Sequence, residues 1–119
     1  MYNLGHAFQS DWKMTVEIDH EIADKQIKEM VEFWRGWEFR LSENEFDYTV
    51  VFLKQLAHEV FCAQVAECYN LTGIIEHFNK LEGWTPIDGS MGITIKEVSS
   101  DAIEFRHFKV SPVKELHHA

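Results

Sequence analysis

Between Asp11 and Asp19 the chain alternates polar and apolar residues without a break. Trp12, Met14, Val16 and Ile18 fall on one side of that alternation, with Asp11, Lys13, Thr15, Glu17 and Asp19 on the other. Only an extended strand, whose successive side chains point to opposite faces, gathers those apolar residues together; a helix would scatter them around its axis. A half-buried strand also commits the rest of the chain. It needs neighbours for its backbone N–H and C=O groups, and it needs a cover for its apolar face.

The cover is legible downstream. Ala23, Ile27, Met30, Val31, Trp34 and Trp37 recur at helical spacing, with Asp24 as an N-cap and Gly36 as the stop. This predicts a helix over 24–35. Ser42-Glu43-Asn44-Glu45 has the S-x-x-E form of a capping box, and nothing breaks a helix from there to Tyr69. Thr72 caps a shorter third helix carrying Ile74, Ile75, Phe78 and Leu81, which Gly83 ends. Two strand-like runs follow, Gly92 to Val98 and Ala102 to Val110, joined by Ser99-Ser100-Asp101 in the manner of a hairpin. The order is β-α-α-α-β-β. It predicts an α+β fold with a small three-stranded antiparallel sheet covered by helices, in a single domain spanning residues 1–119. Apolar residues on both faces of the run 102–110 point to a homodimer contact on the far side of the sheet.

Charge narrows the partners. The formal net charge is −9, and residues 17–47 hold ten acids against four bases, whereas residues 91–119 hold four of each. Nucleic acid and anionic membrane surfaces call for clustered Lys and Arg, so neither is an expected direct partner. No apolar run approaches the roughly 18 residues of a membrane span. Met1 to His6 offers neither a basic stretch nor an apolar core for a secretory signal. Cys62 and Cys68, read on one helix, stand about 9 Å apart along its axis and on different faces, too far for a disulfide. Reduced thiols and the missing signal together predict a cytoplasmic protein.

Few residues carry an evident chemistry. His58-Glu59-Val60-Phe61-Cys62 places His58 and Cys62 one turn apart, as zinc ligands would be. On a helical wheel, however, both fall with Asp47, Lys54, Gln55 and Glu59 on a polar stripe, opposite Leu53, Leu56, Ala57, Val60 and Ala63. A solvated stripe accounts for them, and we expect no metal and no cofactor. Glu43, Glu45 and Asp47 are candidates for binding a basic partner. Placed in the first turns of the second helix they also satisfy its dipole, worth about 0.3–1 kcal/mol each. Asp24–Lys28, Lys25–Glu29 and Lys28–Glu32 predict i,i+4 pairs along the first helix. Phe33, Trp34, Trp37 and Phe39 read as core packing, with a ligand pocket or an interface as the other option. Asp19, His20 and Glu21 form the most suggestive group, because they are titratable and sit where a strand turns into a helix. Asp19 there serves equally as an early cap. Gly89-Ser90-Met91-Gly92 leads into a strand, not a helix, and so is no phosphate cradle.

The run Trp12 to His20, with Phe33-Trp34 downstream, resembles a family of small bacterial and prophage-borne proteins known only as a domain of unknown function. That resemblance implies a bacterial or phage origin and a stand-alone domain, and it brings no activity, ligand or site residue. The leading expectation is therefore a non-enzymatic protein that binds an unidentified protein partner through an acidic or aromatic surface. A small ligand-binding domain or enzyme using His20, Glu21 and His58 is the alternative, and an acidic DNA mimic a further one.

Overall fold

The computed structural model describes residues 1–5, 12–67, 70–99 and 110–112. The alternating run forms the centre of a three-stranded antiparallel sheet. Strand β1 spans Tyr2–Gly5, β2 spans Lys13–Ile18 and β3 spans Ile93–Val98. Trp12, Met14, Val16 and Ile18 are all buried, as the alternation requires, while Lys13 and Glu17 are exposed. Burial of each such large apolar side chain favours folding by about 1.5–3 kcal/mol.

On one side of β2, Ile18 pairs with Ile93 and Val16 with Ile95. A bulge between Thr15 and Val16 then shifts the register, so that Thr15 faces Glu97 and Met14 faces Val98. The other neighbour is β1, with Tyr2 opposite Val16 and Gly5 opposite Lys13. This strand leaves almost no periodic signal in the sequence, because only Tyr2 and Leu4 of its four residues turn inward. The run Ala102 to Val110, the predicted hairpin partner and the basis of the expected dimer contact, lies outside the described residues apart from Val110. The α+β class and the small antiparallel sheet are as the sequence implies.

Among the described residues there are four helices. Helix α1 spans His20–Phe33 and is capped by Asp19, whose Oδ1 accepts the Glu21 N–H at 3.2 Å. It therefore begins four residues before Asp24. Asp19 also donates its own N–H to the carbonyl of Gly92 at 2.7 Å. A Cβ at Gly92, where φ is +85°, would meet the Asp19 carbonyl at 3.0 Å, so the tight seam between β3 and α1 requires glycine.

The capping box at Ser42 does not form. Ser42 and Glu43 instead end a short helix, α2, at Trp37–Glu43, and α3 begins only at Tyr48, running to Glu67. Between them Glu45 and Phe46 both adopt left-handed φ, +57° and +60°. Asp47 then accepts the N–H groups of Thr49 and Val50 at 2.9 and 3.2 Å. A reversal through two left-handed residues interrupts the helix that S-x-x-E would have started, and the aspartate takes over as cap. Helix α4, Leu71–Lys80, is likewise capped two residues before the predicted site, by Asn70 rather than Thr72.

Buried residues of β2, β3, α1, α3 and α4 join in one apolar core that includes Val31, Phe52, Leu56, Ile74 and Phe78. One buried polar group ties that core to the sheet. The Gln64 side chain on α3 accepts from the Trp12 indole at 2.8 Å and donates to the carbonyl of Ser99. Ser99 in turn pairs with the Lys13 backbone. Among the described residues no helix is long and apolar enough to cross a membrane.

Candidate functional site

The predicted residues at the start of α1 are brought together, but into a closed set. His20 lies between two partners, with Nδ1 at 2.5 Å from Asp24 Oδ1 and Nε2 at 2.8 Å from the Tyr2 hydroxyl. With the Nδ1 proton shared toward the carboxylate, Nε2 is left to accept from Tyr2. The ring also meets Tyr2 edge-on at 6.0 Å. Asp19 is occupied as the cap, and Glu21 stands exposed in the first turn. This chain of hydrogen bonds fastens the edge strand β1 to α1, and none of the hollows described below is lined by Tyr2 or His20.

Glu43 and Glu45 are not brought to that group. Nor do they occupy a helix N-terminus as expected: Glu43 is the last residue of α2, where the dipole opposes it, and Glu45 sits in the left-handed turn. Glu45, Asp47 and Asp24 share a hollow of about 470 Å³ with Phe46 and Tyr48. Nearby, Tyr48 donates to Glu32 at 2.7 Å, and this bond, with burial and the Glu32 charge, raises the phenol above its usual pKa. Lys28 lies over the Tyr48 ring, 6.0 Å from its centroid. These contacts replace the expected i,i+4 pairs: among the described residues the close acid–base contacts are His20–Asp24, His77–Glu59 and Lys96–Glu17.

The opposite end of α1 is built differently. The helix stops at Phe33, Trp34 turns extended, and Gly36 enters α2 in the left-handed conformation. This brings Arg40 back over the end of α1, where its guanidinium donates to the carbonyls of Arg35 at 3.1 Å and Trp34 at 3.3 Å. Helix α1 has no base in its own last turn, so Arg40 supplies the positive charge that a helix C-terminus favours. Facing it is the polar stripe of α3. Lys54, Gln55, His58 and Glu59, expected to be merely solvated, form one wall of a groove of about 560 Å³, with Trp34, Arg35 and Arg40 opposite and Trp84 also lining it.

The groove is positive in an acidic protein. Arg35, Arg40 and Lys54 outnumber its single carboxylate, Glu59, which is paired with His77 at 3.2 Å. Lys54 donates to the Asn44 amide oxygen at 2.5 Å. Arg40 Nε and Gln55 Oε1 are buried with no hydrogen-bond partner among the described residues. Each such group costs about 1–3 kcal/mol when left unsatisfied. His58 and Cys62 do approach one another, at 3.8 Å, on an exposed face. Among the described residues, however, no cluster of three His, Cys, Asp or Glu is placed to hold a metal.

Around the groove-lining Trp34 the core expectation fails for Phe33, Trp34 and Phe39, while Trp37 packs against the core as expected. Phe33 is 51% exposed, Trp34 38% and Phe39 68%; Trp37 is half-buried. Ending α1 at Phe33 takes Trp34 off the apolar stripe. Phe33 and Trp34 pack edge-on at 4.8 Å. The loop after α4 closes on them at Gly83, where φ is +86° and a Cβ would stand 2.6 Å from the Phe33 ring. The clue in the sequence was Trp34-Arg35-Gly36, an aromatic, a cation and a turn residue in succession.

A family model described as a protein of unknown function, DUF2528, matches residues 13–110. The chain belongs to this family. It is 30% identical over 101 residues to the Lambda prophage-derived protein ea10 of Escherichia coli O6:H1, covering 78% of this chain and 82% of the relative. The same figures hold for protein ea10 of Escherichia phage lambda. No solved structure matches. The family resemblance carried by Trp12 to His20 and Phe33-Trp34 is thus borne out. Every residue lining the groove falls within the family match, whereas Tyr2, which closes the other end of α1, lies outside it.

Proposed function

We propose that this DUF2528 member acts by binding a partner protein, and that the contact is the aromatic rim and groove at the C-terminal end of α1. The observation that carries this reading is the exposure of Trp34, which lines the recess with Arg35 and Arg40, and of Phe33, packed edge-on against it; Phe39, the residue before Arg40, is exposed as well. Tryptophan, tyrosine and arginine dominate binding energy at protein interfaces, and grouped exposed aromatics mark such surfaces. Of the two surfaces expected from the sequence, the aromatic one is therefore favoured over Glu43 and Glu45.

A second reading has one observation behind it. The groove volume lies within the range of small-molecule sites, and the unpartnered Gln55 Oε1 offers a fixed acceptor for a ligand donor. Affinity capture from Escherichia coli lysate separates the two. We expect wild-type protein to retain one stoichiometric partner that a Trp34→Ala, Phe39→Ala variant of unchanged melting temperature loses. Equal capture by both proteins would contradict the rim as the contact.

A further inference from the structure

We propose that the segment seated in this groove is acidic, an extended peptide in which aspartate or glutamate flanks an aromatic or aliphatic residue. The inference rests on the docking reading above and assigns the chemistry of its partner. The first ground is a local inversion of charge. The chain carries −9 overall, yet the groove presents Arg35, Arg40 and Lys54 against one carboxylate that is already engaged. Among the described residues the Arg35 side chain meets no hydrogen-bond or ion-pair partner, and Lys54 meets only a neutral amide oxygen. Among the described residues neither cation has a counter-charge, so carboxylates arriving from outside would form charge-assisted bonds without displacing existing ion pairs.

The second ground is Gln55 Oε1, a buried acceptor without a donor among the described residues. A peptide backbone supplies an N–H at every residue but proline, whereas a phosphodiester linkage supplies none. The third is the pair of indoles, Trp34 and Trp84, which line the same recess and accept an apolar side chain between the charged contacts. A nucleic-acid strand would satisfy the cations too. It would also extend its charges beyond the recess over a chain of net charge −9. A peptide confines its charge to the recess.

The full chain, immobilised, is used to select from a random displayed peptide library, with Trp34→Ala as the counter-selection. The best sequence is then titrated by fluorescence beside its copy with every Asp and Glu changed to Asn and Gln. We expect enrichment of Asp and Glu next to an aromatic or aliphatic residue, and binding at least about tenfold weaker for the amide copy. Arg35→Glu and Lys54→Glu, both at exposed positions, should each weaken the acidic peptide while leaving the melting temperature unchanged. Trp34-dependent enrichment of sequences without acids would overturn the acidic assignment and leave the docking reading standing. An absence of any Trp34-dependent sequence would overturn both. Displacement of the peptide by single-stranded oligothymidylate at lower concentration than by the acidic peptide itself would replace the assignment with nucleic acid.

Discussion

At its N-terminal end α1 is closed by polar groups that satisfy one another. Asp19 caps the backbone, Asp24 holds one nitrogen of His20, and the Tyr2 hydroxyl holds the other. At its C-terminal end the same helix is finished by Arg40 from a neighbouring element, and two buried polar atoms and the Arg35 side chain remain without partners among the described residues. The first arrangement is what a fold does with polar side chains when their purpose is attachment. The second leaves binding capacity for something else. Titratable residues at a strand–helix junction are thus poor guides by themselves; whether their bonds are already made decides what they can do.

Substitutions at the two ends should separate these roles. The largest effect belongs to Gly92→Val, which forces a β-branched residue into a left-handed φ against the Asp19 carbonyl and the side chains of Ile22 and Ala23. We expect a loss of about 2–3 kcal/mol in urea unfolding, since strain of this kind costs on that order. A loss below about 0.5 kcal/mol, the scale of an ordinary surface change, would mean the seam is not tight. Arg40→Ala comes next: removing two charge-assisted bonds to the end of α1 should cost about 1–2 kcal/mol, moderated because the unpartnered Nε leaves with it. A Tyr2→Phe exchange should cost about 1 kcal/mol, that of one exposed hydrogen bond, and should leave partner binding untouched. If it abolished binding instead, the closed end would be the functional one.

The smallest expected effect is one of pH. The bond from Tyr48 to Glu32 raises the phenol's pKa in the folded state, so the protonated phenol favours folding. That contribution is fully present below the unfolded value near pH 10 and is lost as pH rises through the folded one. Wild-type stability should therefore fall more steeply than that of Tyr48→Phe across that alkaline window. Parallel curves in chemical denaturation would show that the bond carries no such linkage.

Legibility followed the range of the interactions. The central strand declared itself because alternation from Trp12 to Ile18 is local, and the buried face of α3 because Leu53, Leu56, Val60 and Ala63 repeat at helical spacing. The early cap at Asp19 was open as an alternative to Asp24 for the same reason. What was missed depends on distant partners or on backbone reversals without glycine. Strand β1 exists through its pairing to β2. The break at Glu45 and Phe46 uses two residues that carry no turn signature, which is why Glu43 and Glu45 were placed in the wrong helix. The groove assembles Arg35, Arg40, Lys54 and Trp84 from the turn after α1, helices α2 and α3, and a loop, a combination that no spacing rule captures.

The contrast between the two ends of α1 is tested most directly by measuring, side by side, the affinity of Trp34→Ala and His20→Ala for the captured partner. We expect Trp34→Ala to bind at least about a hundredfold more weakly, as removal of an interface hot spot does, with His20→Ala within about twofold of wild type. The reverse pattern, binding lost with His20 and kept without Trp34, would place the working surface at the N-terminal end and contradict the assignment.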